Sequence, residues 1–342
     1  MKIDRNTRST LLYLLFSVAV TILVFSYLFS HITWAEVHQL IIGIDRPLVG
    51  LFVLLSMGMH LARTQRYRVV LDSVGQHTGF LRLFLVVLVR SLCVDLLPAR
   101  TGELVYLYLL RAKLRVELGA ATASFALAFL FDIIALAPLL VVALLFVGVG
   151  LPFSWWGALG ASVFLLVLSA VLIALLPLGL RWAFAIGSGG LMGHGRWRQR
   201  VRRFLASTHR QVLRARRQGV YLPVFLWSLA VRVLKYVALY VLLLALLKPQ
   251  GFTMAGLPFQ EVFLGLCAAE MAASLPFSGI AGFGAYEGAW ALVFLMLGYD
   301  AEVAKTAGVS HHLLTQIYGY GLGLLALLLL SLTRGRSVRR KA

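Results

Sequence analysis

Leu275-Pro276-Phe277-Ser278-Gly279-Ile280-Ala281-Gly282-Phe283-Gly284-Ala285-Tyr286-Glu287-Gly288 sets one proline, four glycines and a carboxylate inside a long apolar tract. In hydrocarbon each unpaired backbone N–H or C=O costs several kcal/mol, so a broken backbone is tolerated only where protein buries it or where it lines a wet cavity. The stretch therefore predicts a protein with an interior inside the membrane. A shorter echo, Leu97-Pro98-Ala99-Arg100-Thr101-Gly102-Glu103, lies in the first half of the chain.

Working outward, composition agrees. The 342 residues are 61% hydrophobic and only 13% charged, with a mean hydropathy of +0.89, against a charged share of about 25% in soluble domains. This is the composition of a polytopic membrane protein. The formal net charge of +19 does not point to nucleic acid, because the Lys and Arg residues cluster between apolar spans and at the termini, the positive-inside pattern. The first apolar run, 10–29, lacks a small-residue cleavage site and is expected to stay as a membrane helix. Cys93 and Cys267 both fall in apolar segments, so no disulfide framework is expected.

Charge then orders the spans. Lys2, Arg5 and Arg8 put the N-terminus in the cytosol and 31–46 outside. Residues 47–62 return, and Arg63, Arg66, Arg68 and Arg82 mark a cytosolic loop. After the break at 97–103, a helix from Glu103 to Arg111 rises only ~12 Å, short of a ~30 Å hydrocarbon core. Residues 83–112 are accordingly expected to form a re-entrant hairpin from the cytosol. Residues 117–149 cross outward with Asp132 halfway, and 157–180 cross back. The basic segment 181–217 is expected to be a cytosolic loop with a helix lying on the anionic inner leaflet. Residues 221–247 cross outward. The segment 259–299 carries no Lys or Arg in its central loop 277–284, so it is expected to enter from outside and stop within the membrane. Residues 303–332 give the last span, with Arg334, Arg336, Arg339, Arg340 and Lys341 in the cytosol. The expected fold is an all-α polytopic membrane protein with about six full transmembrane helices and two oppositely oriented re-entrant helical hairpins. Such a pair fits an inverted repeat whose broken helices meet near the midplane, although the shared residues are only Leu-Pro, Gly and Glu.

Charges within membrane segments are costly, about 2.5–3.5 kcal/mol each on insertion scales, and usually functional. Here they are Asp95, Arg100, Glu103, Asp132, Arg232, Lys235, Glu270 and Glu287. Arg100 suits a phosphate and Glu103 or Glu287 an ammonium, which points to a lipid headgroup in a polar cavity. The competing reading is that these groups pair with one another or cap broken helix ends. Pro98, Gly102, Pro276, Gly282 and Gly284 are the expected hairpin tips. Arg232 and Lys235 sit beside a Tyr236, Tyr240 stripe and could instead snorkel to the inner interface. His311 and His312, with Gln316 and Tyr320 on the same helix, are candidates for proton-linked groups or for helix contacts. No His, Asp or Glu cluster has metal-ligand spacing, so no metal or other cofactor is expected.

On Leu97 to Glu103, on Asp132, and on Leu275-Pro276 with Ser278, Gly282, Gly284 and Glu287, the chain resembles the flippase-like family named for the transmembrane region of lysylphosphatidylglycerol synthase. The likeness runs over nearly the whole chain. Two features depart from it. The family often has an arginine a few residues before the aspartate, where this chain reads Ala126-Leu127-Ala128-Phe129-Leu130-Phe131, and another early in the last span, where this chain has His311 and His312. The ion pairs those arginines make in relatives are therefore not carried over. The resemblance implies lipid translocation or a supporting role in envelope lipid metabolism, members being linked to aminoacylated phospholipids, polyprenyl-linked sugars and hopanoids.

The sequence shows no aminoacyltransferase domain, no phosphate-binding Gly-x-x-x-x-Gly-Lys-Ser/Thr loop and no nucleophile elbow. The expectation is a translocator of a phospholipid or polyprenyl or glycolipid headgroup in a bacterial-type inner membrane, not driven by ATP and not an enzyme. Its partners would be membrane lipids, with anionic inner-leaflet lipids at the basic loop. A membrane enzyme on a lipid-linked substrate, or a scaffold for a lipid synthase, are the other two readings.

Overall fold

The computed structural model describes residues 34–97, 102–147, 196–274 and 280–332, with isolated positions between 160 and 175. Every regular element among them is helical: α1 (Trp34–Ile42), α2 (Arg46–Ser73), α3 (Phe80–Leu96), α4 (Gly102–Leu114), α5 (Leu118–Val147), α6 (Arg196–Arg217), α7 (Tyr221–Leu247), α8 (Phe259–Ala273), α9 (Ala285–Met296) and α10 (Ala301–Leu332). Of these, α2, α5, α7 and α10 are long and apolar enough to cross a membrane, matching four of the expected spans. The expected spans 10–29 and 157–180 lie outside the described residues, apart from isolated helical positions in the second.

Helix α2 begins where Asp45 caps it. The Asp45 carboxylate accepts from the Leu48 N–H at 3.2 Å, and Pro47 fills the first turn, where its missing N–H costs nothing. Lys248, just past the end of α7, reaches the same carboxylate at 2.6 Å, while the Asp45 N–H donates to the Ala245 carbonyl at 3.0 Å. The Lys248 ammonium, and after it the Leu48 N–H, hold the Asp45 carboxyl below its ordinary range. Further along, Arg66 donates to Ser228 Oγ near the start of α7 at 3.0 Å. The two helices therefore run antiparallel, and theirs is the most extensive helix pairing among the described residues.

This helix corrects the reading of the basic cluster after residue 62. Arg63 and Arg66 do not mark a loop, because α2 runs on to Ser73 and Arg66 is fully buried. A helix carries an arginine inward when a carboxylate meets it there, and Asp132 does. Arg68, half-buried, pairs with Asp72 at 3.5 Å near the end of α2, and Arg82 sits in the first turn of α3 (Phe80–Leu96) rather than in a loop.

Helices α3 and α4 flank the first break and lie against each other. A Cβ on Gly102 would sit 2.2 Å from the Cys93 backbone, so only glycine allows that approach. Their 17 and 13 residues rise about 25 and 20 Å, each below a ~30 Å core. Around the second break, α8 and α9 have 15 and 12 residues and pack as an antiparallel pair, with Gly265 against Phe294 and Gly282 against Ala273. The connecting turn at Ile280–Gly282 puts Ala281 at φ 57°. Gly284 follows at φ 91° and caps α9.

Within the basic segment, α6 packs on α5 and buries Val212 and Ala215. Its Arg203, Arg210, Arg214, Arg216 and Arg217 are exposed. Residues 181–195 lie outside the described part.

Apolar side chains form two main cores. One joins the C-terminal half of α2 to α3, α4, the first half of α5 and the far end of α10, around Val70, Leu83, Leu110 and Leu127. The other joins the end of α7 to α8, α9 and the start of α10, around Leu243, Leu266 and Trp290. Between the two cores, α2 and α7 carry Ser56, His60, Arg63 and Arg66 on one and Ser228, Arg232 and Lys235 on the other, beside a small apolar cluster of Met59, Ala62 and Val231.

Candidate polar cavity

The charged groups of this middle layer mostly answer one another. Arg66 forks onto Asp132 at 2.5 and 3.2 Å. Arg232 donates to the Asp132 carbonyl at 3.3 Å, lies 3.8 Å from its carboxylate and 3.9 Å from Glu270. Lys235 closes on Glu270 at 2.5 Å, and the Tyr236 hydroxyl donates to the same carboxylate at 3.1 Å. The result is a ladder, Arg66, Asp132, Arg232, Glu270, Lys235, tying α2, α5, α7 and α8 together. Alternating signs suit a site away from bulk water, where an unanswered charge is far costlier than a paired one.

A second, separate pair holds the first break. Arg90 on α3 grips both oxygens of Glu103 at the start of α4. The guanidiniums of Arg66 and Arg90 lie 5.4 and 5.7 Å from the centroid of the Tyr67 ring, which meets the Tyr106 ring at 4.6 Å with a 37° tilt. Cation–π contact thus links pair and ladder.

At the second break, Glu287 Oε2 accepts from the Gly284 N–H at 2.7 Å, and Oε1 meets His312 Nδ1 at 2.5 Å. His312 Nε2 faces Gln316 Nε2 at 2.8 Å, and the same amide nitrogen reaches the Ala281 carbonyl at 3.4 Å. His311 turns the other way, to the Leu239 carbonyl at 2.9 Å and the Tyr286 hydroxyl at 3.4 Å. Glu287 is 1% exposed; here the carboxylate caps a helix and engages His312.

Two adjoining cavities open beside these groups. One, of about 210 Å³, is lined by Asp95, Lys235, Glu270, Tyr286, His312 and Gln316 among others. The next, of about 220 Å³, is lined by His60, Arg63, Arg90, Asp95, Asp132 and Lys235 among others. Val94, Asp95, Lys235, Leu239 and Thr315 border both. The geometry can hold a polar group and stabilise either sign of charge on it.

Of the residues singled out from sequence, Glu103, Asp132, Arg232, Lys235 and Glu270 converge on the cavities. Arg232 and Lys235 turn inward to carboxylates. His312 and Gly282 line the first cavity, whereas Glu287, His311 and Gly284 stand behind its wall. Gly102 serves the close approach of α4 to α3. Arg100, Pro98 and Pro276 lie outside the described residues. His60, Arg63, Arg66, Arg90 and Ser91 were not foreseen. A usable signal for Arg90 was its isolation in the apolar run 83–97, and for Arg63 and Arg66 their helical spacing after a span too short at 16 residues (47–62). Asp132 is answered by Arg66 and Arg232, and Glu287 by His312.

A family model described as "Lysylphosphatidylglycerol synthase TM region" matches residues 14–323. No curated protein matches the chain.

Proposed function

The chain belongs to the family of the lysylphosphatidylglycerol synthase transmembrane region, which implies a membrane-embedded, lipid-related role, and from that premise we propose that it moves a lipid headgroup across the bilayer. The observation that carries this reading is the charged layer between two apolar cores, with two cavities against it. A headgroup is polar and its tails are not, so a translocator needs a polar, protein-lined passage at mid-depth beside apolar surface that lipid tails can follow. The exposed apolar side chains Leu96, Leu97, Leu104 and Met271 near the two breaks supply such a surface.

In this proposal the pairs α3/α4 and α8/α9 are re-entrant hairpins from opposite faces, the first from the cytosol and the second from outside, as halves of an inverted repeat. Their arms are each shorter than the hydrocarbon core, which supports that reading. Both termini lie in the cytosol of a bacterial-type inner membrane, and the arginines of α6 rest on anionic lipid. Movement is passive or ion-coupled, the chemistry of the lipid is unchanged, and Glu103, Asp132 and the Glu287–His312 pair are the groups through which a proton would couple.

The test is a leaflet-accessibility assay on proteoliposomes of the full chain, with labelled phospholipid and polyprenyl phosphate. Headgroup exchange faster than in protein-free vesicles, slowed by Lys235→Met, supports translocation. Rates equal to empty vesicles for every lipid overturn it, and a change in lipid mass dependent on Glu103 would assign an enzyme instead.

A further inference from the structure

Pairing the charges of the polar layer leaves two over. Arg66, Arg232 and Lys235 are satisfied by Asp132 and Glu270, and Arg90 by Glu103. Among the described residues, Arg63 and Asp95 have no opposite charge within salt-bridge distance, and both line the same 220 Å³ cavity. The single hydrogen bond of the Arg63 guanidinium goes to Ser91 Oγ at 3.0 Å, and that hydroxyl passes its own proton to the Val87 carbonyl at 3.1 Å. One turn earlier on α2, His60 is 6% exposed, lines the cavity, and has its Nδ1 buried with no hydrogen-bond partner. A guanidinium carries five N–H donors in a planar fork that fits an oxyanion. Most of those donors are unused here, one turn from an imidazole that lines the same cavity.

Unanswered polar groups inside a protein are expensive unless something fills the gap. The cavity holds roughly seven water volumes at ~30 Å³ each, ample for one phosphate with its substituent. The geometry points to a phosphodiester subsite: Arg63 and His60 hold the phosphate oxygens, and Asp95 accepts from an ammonium or hydroxyl on the headgroup beyond it. Asp95 also sets the class of ligand. A carboxylate facing the site repels a phosphate monoester dianion and rewards a monoanionic diester whose substituent carries an N–H or O–H donor. The location of the site is independent of the translocator reading; only the identity of its occupant as a lipid rests on that reading.

The experiment measures binding to the full chain in detergent. Its probes are short-chain phosphatidylethanolamine and phosphatidylglycerol, phosphatidylcholine, phosphatidic acid, a phosphate-free glycolipid of the same chains, and inorganic phosphate. The two donor-bearing diesters should bind best. Arg63→Gln should weaken them about 10- to 100-fold, the size of a lost charge-assisted contact, and leave the glycolipid unchanged. Asp95→Asn should erase the preference for phosphatidylethanolamine over phosphatidylcholine. If Arg63→Gln unfolds, Arg63→Lys and His60→Gln carry the test, each expected to weaken diester binding several-fold. Unchanged diester affinity in these variants, or glycolipid binding as tight as diester, overturns the subsite. Inorganic phosphate bound as tightly as the diesters overturns the lipid assignment and makes this a free-anion site. Arg63-dependent diester binding without any transport in proteoliposomes would sink the translocator reading and leave the subsite standing. Transport that is indifferent to Arg63→Gln, with diester affinity also unchanged, would do the reverse.

Discussion

Arg66 and Asp132, 66 residues apart in sequence, meet at 2.5 Å between Nη1 and Oδ1 at the point where α2, α5 and α7 come together. Arg66 is wholly buried, and the Asp132 side chain is 22% exposed. Removing one member of such a pair strands the other, which costs about 3–5 kcal/mol, more than the pair itself is worth. Asp132→Ala should therefore destabilise the detergent-solubilised chain by about that much, read as a lower thermal unfolding temperature. The double variant Arg66→Met/Asp132→Leu should recover most of the loss, because Arg232 still has Glu270 at 3.9 Å. A double variant no more stable than Asp132→Ala alone would show that the ladder depends on each member rather than on charge balance.

Gly102 tests the close approach of α4 to α3. Its missing Cβ would lie 2.2 Å from the carbon and oxygen of Cys93, which are backbone and cannot swing aside. Gly102→Ala should force the helices apart and cost about 1–3 kcal/mol, the usual range for overpacking. It should also loosen the grip of Arg90 on Glu103. Gly50 provides the control: nothing lies within 4 Å of its would-be Cβ, and alanine in mid-helix is favoured by up to ~1 kcal/mol. Denaturation of both variants should give shifts of opposite sign, and a stable Gly102→Ala would refute the contact.

Asp45 provides a pH test away from the spans. Its carboxyl titrates below its ordinary value of 3.8, chiefly because of Lys248 and then the Leu48 N–H. A carboxyl depressed in the folded state adds stability above its ordinary value and loses it as pH falls through the lowered one. Lys248→Met should therefore be less stable than the parent at neutral pH. The two stability curves should converge as pH drops below 3.8. Curves that stay parallel to the acid end would assign the effect of Lys248 to packing.

How far the sequence could be read differs between fold and site for a physical reason. Apolar runs of helical length report the solvent each segment faces, so α2, α5, α7 and α10 were visible in outline, as were the breaks near Pro98 and Pro276. Pairing between distant charges leaves no such periodic trace. Arg66 reads as a loop residue because nothing nearby in sequence reveals that Asp132, a whole hairpin away, waits for it. Glu287 reads in sequence as an intramembrane carboxylate that either faces a headgroup or caps a broken helix end, and only the backbone of Gly284 at φ 91° decides for the cap. His60 and Ser91 look ordinary on apolar helices, and only the fold places them beside Arg63.

The Glu287–His312 contact makes a sharper claim, about a single proton. The Gln316 amide nitrogen stands 2.8 Å from His312 Nε2 and also reaches the Ala281 carbonyl. It is therefore the donor, and Nε2 accepts. The ring proton then sits on Nδ1 and is donated to Glu287 Oε1 at 2.5 Å, while Oε2 takes the Gly284 N–H. Glu287→Gln keeps the cap through its carbonyl but turns an amide N–H₂ towards Nδ1. His312 must then accept at Nδ1 and carry its proton on Nε2, opposite the donor of Gln316. One of the two hydrogen bonds fails unless Gln316 flips and gives up Ala281. The expected cost is about 1–3 kcal/mol, that of a buried polar group left unsatisfied. Nitrogen-15 spectra of histidine-labelled protein should show the Nδ1–H form of His312 in the parent and the Nε2–H form in Glu287→Gln. A parent spectrum already showing Nε2–H would reverse the direction of the chain and remove Gln316 as its donor.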